Sequence, residues 1–425
     1  MRILWITNTV FPEPSTALGI PIPVGGGWMY GLAGQLALRS EITLAVASVY
    51  KGKKLKCLNI NGIIYYLLPK NISTKFQAYK NNWKMICNEF MPDIVHIHGT
   101  EYHYGLSCML VCQNLHYVVS IQGLVGVYAR YYYAGLTIID IFKNITLRDV
   151  LRHDTIFHGK KNFIKRGIFE KKYITLSKHI IGRTNWDYSH SKAINPFINY
   201  HHCNETLRNS FYKSPKWDCR KKTDYTIFLS QASFPIKGLH QVIEAVAILV
   251  KSFPQIKLRV AGHNIINKTT LLSRLKINGY GSYLDSLIKK YKLEQNIYFV
   301  GLLTEEQIIK EYLNAHLFIC PSSIENSPNS VGEAQILGVP TIASYVGGTP
   351  DLITSEETGL LYRFEEIEML AENIRKVFCD TSLSQHLSKE GIKIAEHRHS
   401  QILNCEKTLN IYNSILYGSL NNLVE

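Results

Sequence analysis

Two glutamates that bracket the start of a predicted helix are the residues best suited to chemistry in this sequence of 425 residues. Glu325 lies in a loop after a buried strand, and Glu333 lies about one turn inside the helix that Ser327 and Pro328 are expected to begin. Carboxylates placed in this way can accept hydrogen bonds from paired hydroxyl groups of one ligand. Taken alone, a glutamate in a first helical turn more often only stabilises the helix dipole.

The same helix start is a predicted anion site. The backbone N–H groups of Asn329, Ser330 and Val331 are expected to be free, and the helix dipole adds positive potential, so a diphosphate would fit there. Lys237, in the sequence Pro-Ile-Lys-Gly, can place a further positive charge on a phosphate. Without that context, a surface lysine ahead of a helix is the simpler interpretation.

The first half of the chain contains further candidates. Residues 25–27 are three glycines ahead of a predicted helix. Gly26 and Gly27 would let the backbone approach a phosphate closely, although a tight turn explains them equally well. Arg183 can either contact an anion or form an ion pair with Asp187, one helical turn further on.

Apolar runs without alternation predict the strands that position these residues. Such strands must be covered on both faces, as in a parallel sheet. Helical patterns separate them, for example over residues 28–38 and 238–250. The predicted strands are residues 3–6, 42–47, 94–98, 117–121, 179–181, 225–229, 257–261, 297–300, 317–320 and 341–344. Alternating strands and helices indicate a doubly wound α/β fold, in which ligands bind at the carboxyl ends of the strands.

The chain is long enough for two domains. Within residues 203–224 a polar, charged and proline-containing stretch interrupts the pattern, and a second α/β series follows it. We therefore predict an N-terminal domain over residues 1–210, a C-terminal domain over residues 211–396 and a final helical segment over residues 397–425.

Taken together and in this order, these features resemble the family 4 retaining glycosyltransferases over nearly the full length of the chain. Glu325 and Glu333 match the E-x7-E motif of that family. The flanking residues also match, as do the three glycines in the N-terminal half. The matching flanks are residues 92–99 (PDIVHIHG), 297–301 (IYFVG), 334–343 (AQILGVPTIA) and the pair Gly347-Gly348.

The resemblance implies the GT-B fold, which has two Rossmann-like doubly wound domains facing a central cleft and a C-terminal helix that crosses back to the N-terminal domain. It also implies a retaining hexosyl transfer from a nucleotide sugar, held by the C-terminal domain, to a glycan or lipid-linked acceptor, held by the N-terminal domain. Surface polysaccharide biosynthesis is the implied process, and UDP is the expected donor nucleotide.

Residue roles follow from the same resemblance. Glu333 would hold the donor ribose, Glu325 would contact the transferred sugar, and Lys237 would bind the donor diphosphate. Gln122 would join Glu325 and Lys237 at the reacting sugar. The other implied donor-binding residues are Gly26, Gly27, Arg183, Gly301, Asn329, Ser330 and Val331.

Two departures from the family pattern affect the expected mechanism. The family usually has an arginine shortly before the lysine, whereas residues 229–234 (LSQASF) contain no cation, so one diphosphate contact must come from elsewhere. Many relatives have a histidine where this chain has Gln122, and glutamine positions a hydroxyl group but takes no proton. The leaving phosphate is then the expected proton acceptor.

No metal and no cofactor are predicted for this chemistry. The sequence contains no Asp-x-Asp pair, which metal-dependent glycosyltransferases use to hold a divalent ion on the diphosphate. The helix dipole, the backbone amides and Lys237 are expected to neutralise the leaving group instead. Two alternatives stay open, a non-catalytic protein on a decayed GT-B scaffold and a sugar-nucleotide epimerase of the same fold. The intact Glu325, Glu333 and Lys237 argue against the scaffold.

The charge of the chain favours anionic partners. The net charge is +14 and the isoelectric point is about 9.2. No zinc-finger spacing or other nucleic-acid motif occurs, so nucleic acid is not an expected partner. Residues 129–178 are aromatic at first and then basic, with eleven Lys or Arg against four Asp or Glu. We predict inserted helices there, with an anionic membrane surface or an acidic acceptor as alternatives to a solvated helical face.

The remaining polar clusters are expected to be structural. The nine cysteines are scattered, without a C-x-x-C pair or a cluster that completes a zinc site. His96 and His98 lie on a buried strand and are expected to be core histidines rather than acceptor ligands. The sequence predicts neither a signal peptide nor a membrane span. We therefore expect a cytoplasmic protein, with peripheral contact at the inner face of the cell membrane as the open alternative.

Overall fold

The fold comprises two compact units, each built around one mainly parallel β-sheet. The computed structural model describes residues 1–22, 26–71, 76–267, 270, 273 and 275–418. The N-terminal unit contains residues 1–126, 165–208 and 399–425, and the C-terminal unit contains residues 127–164 and 209–398.

The N-terminal unit contains an eight-stranded sheet in the order β3-β4-β2-β1-β5-β6-β7-β8. Every neighbouring pair is parallel except β3 and β4, which form an antiparallel edge. Its strands are β1 (Arg2–Thr7), β2 (Thr43–Tyr50), β3 (Lys56–Ile60), β4 (Ile63–Pro69), β5 (Ile94–His98), β6 (His116–Ser120), β7 (His179–Gly182) and β8 (Asn199–His202). The central strands are almost fully buried, as expected for a sheet with helices on both faces.

The C-terminal unit contains a six-stranded sheet, parallel throughout, in the order β11-β10-β9-β12-β13-β14. Its strands are β9 (Thr226–Leu229), β10 (Lys257–Ala261), β11 (Ile297–Gly301), β12 (Leu317–Cys320), β13 (Thr341–Ser344) and β14 (Leu360–Tyr362). Strand order reverses at β9 and β12, which is the type of switch point where doubly wound sheets bind ligands.

Helices connect the strands in both units. In chain order, the α-helices that the structure describes are α1 (Pro12–Ala17), α2 (Gly27–Ala37), α3 (Lys80–Phe90), α4 (His103–Val111), α5 (Val125–Tyr128), α6 (Ile138–Lys143), α7 (Leu147–Arg152), α8 (Ile156–Leu176), α9 (Asn185–Ile194), α10 (Asn209–Lys213), α11 (Leu239–Leu249), α12 (Gly279–Tyr291), α13 (Glu305–Asn314), α14 (Asn329–Leu337), α15 (Ile367–Cys379), α16 (Thr381–Arg398) and α17 (Gln401–Tyr417). Short 3-10 turns occupy Phe76–Tyr79, Ala129–Tyr131, Pro235–Lys237 and Thr349–Asp351. None of the helices within the described ranges has the length and apolar character needed to cross a bilayer.

The basic, aromatic segment divides between the two units. The sequence places residues 129–178 in the N-terminal domain, but contacts assign residues 127–164 to the C-terminal unit. His240 bonds the carbonyl of Ala134 through Nε2 at 2.8 Å, and the backbone amide of Gly279 donates to Asp149 at 2.7 Å. Long-range bonds of this kind, rather than position along the chain, determine where the segment packs.

The last helix, α17, packs into the core of the N-terminal unit, as the GT-B resemblance implies. Tyr412 is fully buried in the same apolar cluster as Trp5 of β1. The Trp5 indole donates to the Tyr412 hydroxyl at 3.0 Å, across 407 positions of sequence. Helix α17 is thus tied to strand β1 by a buried hydrogen bond.

Candidate functional site

An ion pair between Lys237 and Glu325 forms the centre of the candidate site in the C-terminal unit. The Lys237 ammonium lies 2.5 Å from Oε1 of Glu325. The Ser322 hydroxyl donates to the same carboxylate oxygen at 2.7 Å. The two residues that the sequence names for the diphosphate and the sugar therefore contact each other, although 88 positions separate them.

The ion pair controls the protonation state of the lysine. Burial by itself would lower the pKa of Lys237, because it disfavours the charged ammonium. The charge of Glu325 and its hydrogen bond outweigh burial, so the pKa of Lys237 is raised above its ordinary value. Lys237 is consequently charged at neutral pH and can bind an anion.

A glycine brings the lysine turn close to the glutamate loop. Gly238 follows the short 3-10 turn Pro235–Lys237 and has a positive φ of 70°. A Cβ atom at this position would lie 1.7 Å from the carbonyl oxygen of Pro321, so only glycine fits. The amide of Ser323 also donates to the carbonyl of Ile236 at 2.9 Å. These contacts join the turn to the loop on both sides of Lys237.

A second glycine packs against the backbone of the glutamate. Gly347 has a positive φ of 53°, and a Cβ atom there would lie 1.9 Å from the carbonyl oxygen of Glu325. The amide of Gly348 donates to that same carbonyl at 3.0 Å. The glycine pair that flanks the motif in the sequence therefore holds the backbone of Glu325.

The start of helix α14 differs in detail from the sequence prediction. The helix begins at Asn329, with Pro328 as its N-cap and no side-chain capping bond, whereas the sequence predicts Ser327 as the cap. The amide of Val331 donates to the carbonyl of Pro328 at 3.0 Å. Val331 therefore does not offer a free N–H group, contrary to the prediction. The amides of Asn329 and Ser330 have no such bond in the described part of the chain.

Glu333 lies in the second turn of α14 and is nearly buried. The Tyr312 hydroxyl lies 3.5 Å from its Oε2 atom and donates to the carbonyl of Ser330 at 3.2 Å. Tyr312 thereby links α13 to both Glu333 and the helix start. Tyr312 and Ser322 are supporting residues that the sequence did not identify, because nothing in their local spacing indicates these partners.

Gly301 ends strand β11 and adopts a positive φ of 85°. A Cβ atom there would meet nothing within 4 Å, so the backbone conformation rather than crowding calls for glycine. Its carbonyl accepts a bond from the amide of Gly262 at 2.9 Å. The donor contact that the resemblance implies for Gly301 stays a prediction.

The glycines before α2 lie in the N-terminal unit. Gly26 is the N-cap of α2 with a φ of 90°, and Gly25 lies outside the described residues. A Cβ atom on Gly27 would lie 2.3 Å from Cγ of Arg208. Gly27 thus leaves room for the arginine stem, which is a packing reason for the glycine that the sequence alone could not reveal.

Arg183 has a different partner from the one that the sequence suggests. Its guanidinium pairs with Glu205 and donates to the carbonyl of Ile121, whereas only its backbone amide bonds Asp187, at 3.0 Å. Of the two alternatives that the sequence leaves open for Arg183, the ion pair with Asp187 is therefore wrong. Asp187 instead forms a capping box with Thr184 at the start of α9. The arginine is buried and neutralised inside the N-terminal unit, which explains it as a structural ion pair.

Gln122 follows strand β6 in the N-terminal unit and is half-buried. A Cβ atom on Gly99 would lie 3.7 Å from Oε1 of Gln122 and 2.5 Å from Nδ2 of Asn8. Gln122 and Asn8 therefore both lie beside Gly99, where strands β1, β5 and β6 end. This is the edge of the sheet at which ligands bind in such folds.

The two histidines of β5 differ from each other. His96 bonds the Tyr412 hydroxyl through Nδ1 and the Ser120 hydroxyl through Nε2, both at 2.6 Å. Burial lowers the pKa of His96 to about 3, so it is a neutral core residue as expected. His98 is also buried, but its ring nitrogens have no hydrogen-bond partner in the described residues. Its ring lies 3.8 Å from that of His96.

Three cysteines approach one another in the N-terminal unit. Cys87 of α3 lies near Cys108 of α4 and near Cys112, the C-cap of that helix, with all three sulfur atoms within 4.8 Å of one another. The spacing of Cys108 and Cys112 in the sequence does not indicate Cys87, which the packing of two helices brings beside them. No fourth His, Cys, Asp or Glu ligand completes the group among the described residues. A four-ligand zinc site of the structural type is thus not formed there.

The structure thus brings together the C-terminal candidates Glu325 and Lys237, with Glu333 and the start of α14 on neighbouring elements. The candidates Gly26, Gly27, Gln122 and Arg183 belong to the N-terminal unit. The C-terminal set combines a cation, helix amides and two carboxylates, which is suited to a ligand that carries phosphates and hydroxyl groups.

Comparisons with known proteins relate the C-terminal half of the chain to glycosyltransferases. A family model described as "Glycosyl transferases group 1" matches residues 213–394. The capsular polysaccharide biosynthesis glycosyltransferase CapM of Staphylococcus aureus is 28% identical over 187 residues, which are 43% of this chain and 44% of that protein. The gpi3 subunit of phosphatidylinositol N-acetylglucosaminyltransferase from Schizosaccharomyces pombe is 20% identical over 98% of this chain and 81% of its own length.

Solved structures support the fold over the whole chain. Sucrose-phosphate synthase from Thermosynechococcus elongatus has a TM-score of 0.71 at 16% identity, covering 99% of this chain and 100% of that one. Anabaena HepE in complex with UDP-glucose has a TM-score of 0.64 at 14% identity, covering 97% and 100%. The predicted GT-B fold is confirmed.

Proposed function

We propose that this chain is a retaining, metal-independent glycosyltransferase that moves a hexosyl unit from a nucleotide sugar to a glycan or lipid-linked acceptor. The observation that carries the proposal is the contact between Lys237 and Glu325, at 2.5 Å, within the region that matches the group 1 family. Surface polysaccharide biosynthesis is the proposed process, because the CapM relative is named for capsular polysaccharide biosynthesis.

The donor is proposed to bind in the C-terminal unit. Lys237 would bind its diphosphate together with the amides of Asn329 and Ser330, which lie at the positive end of the α14 dipole. Glu333 would accept hydrogen bonds from the ribose, and Glu325 from the transferred sugar. UDP is the proposed nucleotide, and HepE, which shares the fold, has been solved with UDP and with UDP-glucose.

Bond cleavage is proposed to depend on charge stabilisation. The bond between the sugar and the diphosphate breaks while the acceptor hydroxyl attacks from the same face. Negative charge then grows on the leaving phosphate, where Lys237 and the helix amides stabilise it. The leaving phosphate takes the acceptor proton, because Gln122 has no basic group. No metal ion takes part in this proposal.

Nucleotide binding without and with EDTA tests the donor assignment. We expect UDP and one UDP-sugar to raise the melting temperature of the protein, with no loss of the shift in EDTA. Release of UDP from that UDP-sugar should fall at least about 100-fold in Glu325→Ala, if this side chain contacts the reacting sugar. Glu306→Ala is the matched control, since Glu306 is exposed in the same unit. Equal turnover in both variants would remove Glu325 from the site.

Contact with an anionic membrane is proposed for helices α6 and α7. Six large apolar side chains of these two short helices are more than half exposed, which is unusual for a solvated surface. They are Ile138, Ile139, Phe142, Leu147, Val150 and Leu151. The exposed cations Lys143 and Arg152 end the two helices, so apolar insertion and attraction to anionic lipid would act together.

Vesicle sedimentation tests the membrane contact. The double variant Leu147→Ser/Leu151→Ser changes two side chains on one helical face, and Phe197→Ser changes an exposed apolar residue elsewhere. We expect the double variant to bind phosphatidylglycerol vesicles at least about 10-fold more weakly, whereas the control stays unchanged. Equal binding by all three proteins, or no binding by the wild type, would contradict the proposal.

A further inference from the structure

A cavity of about 650 Å³ opens in the N-terminal unit, and all the residues that line it belong to that unit. Asn8, which follows β1, and Tyr50, the last residue of β2, contribute to its wall. Lys70, which follows β4, lines it too. The cavity therefore lies at the carboxyl ends of parallel strands and has the volume of an ordinary small-molecule site.

The wall of this cavity carries positive charge without compensation. Lys51, Lys56 and Lys70 line it, and no Asp or Glu is among its lining residues. The ammonium groups of these three lysines have no ion-pair or hydrogen-bond partner in the described parts of the chain. Three unpaired lysines around one cavity favour an anionic ligand.

The rest of the wall is aromatic and apolar. Tyr79 and Tyr104 are buried beside the cavity, and Tyr102 stacks on Tyr104 with ring centroids 5.8 Å apart. Leu18 adds an aliphatic surface. Tyrosine presents an apolar ring and a polar hydroxyl group, so it can contact a sugar ring or a lipid chain. The ligand should therefore combine an anionic group with a less polar part.

A buried hydroxyl group in the wall points to a missing hydrogen-bond partner. Ser15 lines the cavity and is fully buried, yet its Oγ atom has no hydrogen-bond partner in the described residues. Buried polar groups are nearly always paired, and an unpaired hydroxyl costs about 1–3 kcal/mol. A ligand oxygen in the cavity would supply the partner that the protein does not.

We propose that this cavity binds the phosphate or diphosphate group of the acceptor, so that the enzyme glycosylates a phosphorylated substrate. The inference rests on the proposed glycosyltransferase function and defines the acceptor of the same reaction. Lys51, Lys56 and Lys70 hold the phosphate oxygens, and the tyrosines contact the adjoining sugar or lipid part. Asn8 lines this cavity and, like Gln122, lies beside Gly99, so a bound acceptor would reach Gln122, the residue predicted to position a hydroxyl group.

Three probes separate the sources of such a phosphate. Geranyl diphosphate represents a lipid diphosphate, glucose 1-phosphate represents a soluble sugar phosphate, and methyl α-glucoside carries no charge. Binding is measured by calorimetry on the full chain with Lys237→Ala, because that variant weakens competing diphosphate binding at the donor site. Wild-type protein saturated with UDP gives a second measurement. We expect at least one phosphorylated probe to bind and the neutral glucoside not to bind.

Lysine variants locate the binding. In the Lys51→Ala/Lys56→Ala/Lys70→Ala protein, the Kd of the phosphorylated probe should rise roughly 10–100-fold, since each exposed lysine contributes a few-fold. Lys53→Ala is the matched control, because Lys53 is exposed in the same loop but does not line the cavity. The control should bind as the parent does. Ser15→Ala should weaken binding by a few-fold without lowering stability.

The outcomes distinguish this inference from the donor proposal. Binding of geranyl diphosphate alone identifies a lipid acceptor, and binding of glucose 1-phosphate alone identifies a soluble one; each supports a phosphate site. The inference is overturned if no phosphorylated probe binds, or if the triple variant binds as tightly as Lys53→Ala. The triple variant should keep the UDP-induced rise in melting temperature. If UDP does not raise the melting temperature of the wild type, the donor assignment is refuted instead.

Discussion

Replacing either partner of the Lys237–Glu325 pair should change nucleotide affinity in opposite directions. Before donor binding, the Lys237 ammonium already has a carboxylate partner at 2.5 Å, so a diphosphate must compete for it. Lys237→Ala removes the cation and should weaken UDP binding. Glu325→Gln removes the competing charge, while its amide oxygen can still accept the bond from Ser322. This variant should therefore bind UDP more tightly and yet transfer sugar more slowly.

The size of each effect follows from the exposure of the pair. A hydrogen bond to a charged group contributes about 1.5–3 kcal/mol when the group is well covered. The side chains of Lys237 and Glu325 are 27% and 11% exposed, so solvent screens part of this energy. Because Glu325 also competes for the Lys237 ammonium, the net free energy that Lys237 contributes to UDP binding is smaller still. We expect UDP affinity to fall roughly 5–30-fold in Lys237→Ala and to rise roughly 3–10-fold in Glu325→Gln.

Isothermal titration of UDP into each variant measures both changes, with UDP release from the UDP-sugar as the activity assay. Lys251→Ala and Glu306→Gln are controls, since both residues are exposed in the C-terminal unit. The reasoning is refuted if Glu325→Gln binds UDP more weakly than the wild type, because the pair would then cooperate in binding rather than compete. It is also refuted if Lys237→Ala binds UDP as tightly as Lys251→Ala does.

Three further predictions concern stability, pH and metal. Gly238→Ala should lower the free energy of unfolding of the C-terminal unit by more than about 2 kcal/mol, because the added Cβ would lie 1.7 Å from the Pro321 carbonyl oxygen and φ is positive. Gly62→Ala is the control, since φ is positive there too but the space is open. Urea unfolding should show a loss of about 1 kcal/mol in this control. Burial lowers the pKa of His96 to about 3. Between pH 6.5 and pH 3 only the unfolded chain therefore binds a proton at this histidine, so the free energy of unfolding falls as the pH falls through this range. Between pH 7 and pH 5 the loss in free energy of unfolding is about 2 kcal/mol. The urea midpoint of His96→Gln should therefore depend less on pH than that of the wild type. The same pH dependence in both proteins would show that His96 does not cause this loss. EDTA and added Mg²⁺ should leave the UDP affinity unchanged within about twofold, and a larger loss in EDTA would overturn the metal-independent mechanism.

Much of the fold follows from local sequence patterns. The predicted strands at residues 94–98, 257–261, 317–320 and 341–344 coincide with β5, β10, β12 and β13, because buried parallel strands are continuous apolar runs. Helix α14 ends before Gly338, whose positive φ of 80° is the usual conformation of a glycine after a helix. The motif around Glu325 could be recognised because its residue types and spacing are all local.

Other features were missed because they depend on tertiary contacts. Strand β3 is half polar and pairs only at an antiparallel edge, and β14 has just three residues, so neither gives a clear pattern. Strand β4 is an apolar run that the same criterion should have found. The partner of Arg183 is Glu205, which lies 22 residues further along the chain, and nothing near Arg183 in the sequence indicates it.

The support around Glu325 indicates a site whose geometry exists before any donor arrives. Ser344 donates to the carbonyl of Ser322 at 2.5 Å, and Ser322 in turn donates to the Glu325 carboxylate. The Glu325 backbone is held separately by Gly348. Because these bonds do not involve Lys237, the carboxylate should keep its position when the lysine turns to a diphosphate. Donor binding would then cost one ion pair rather than a loop rearrangement, which is why the affinities of the two variants should diverge while their stabilities stay close.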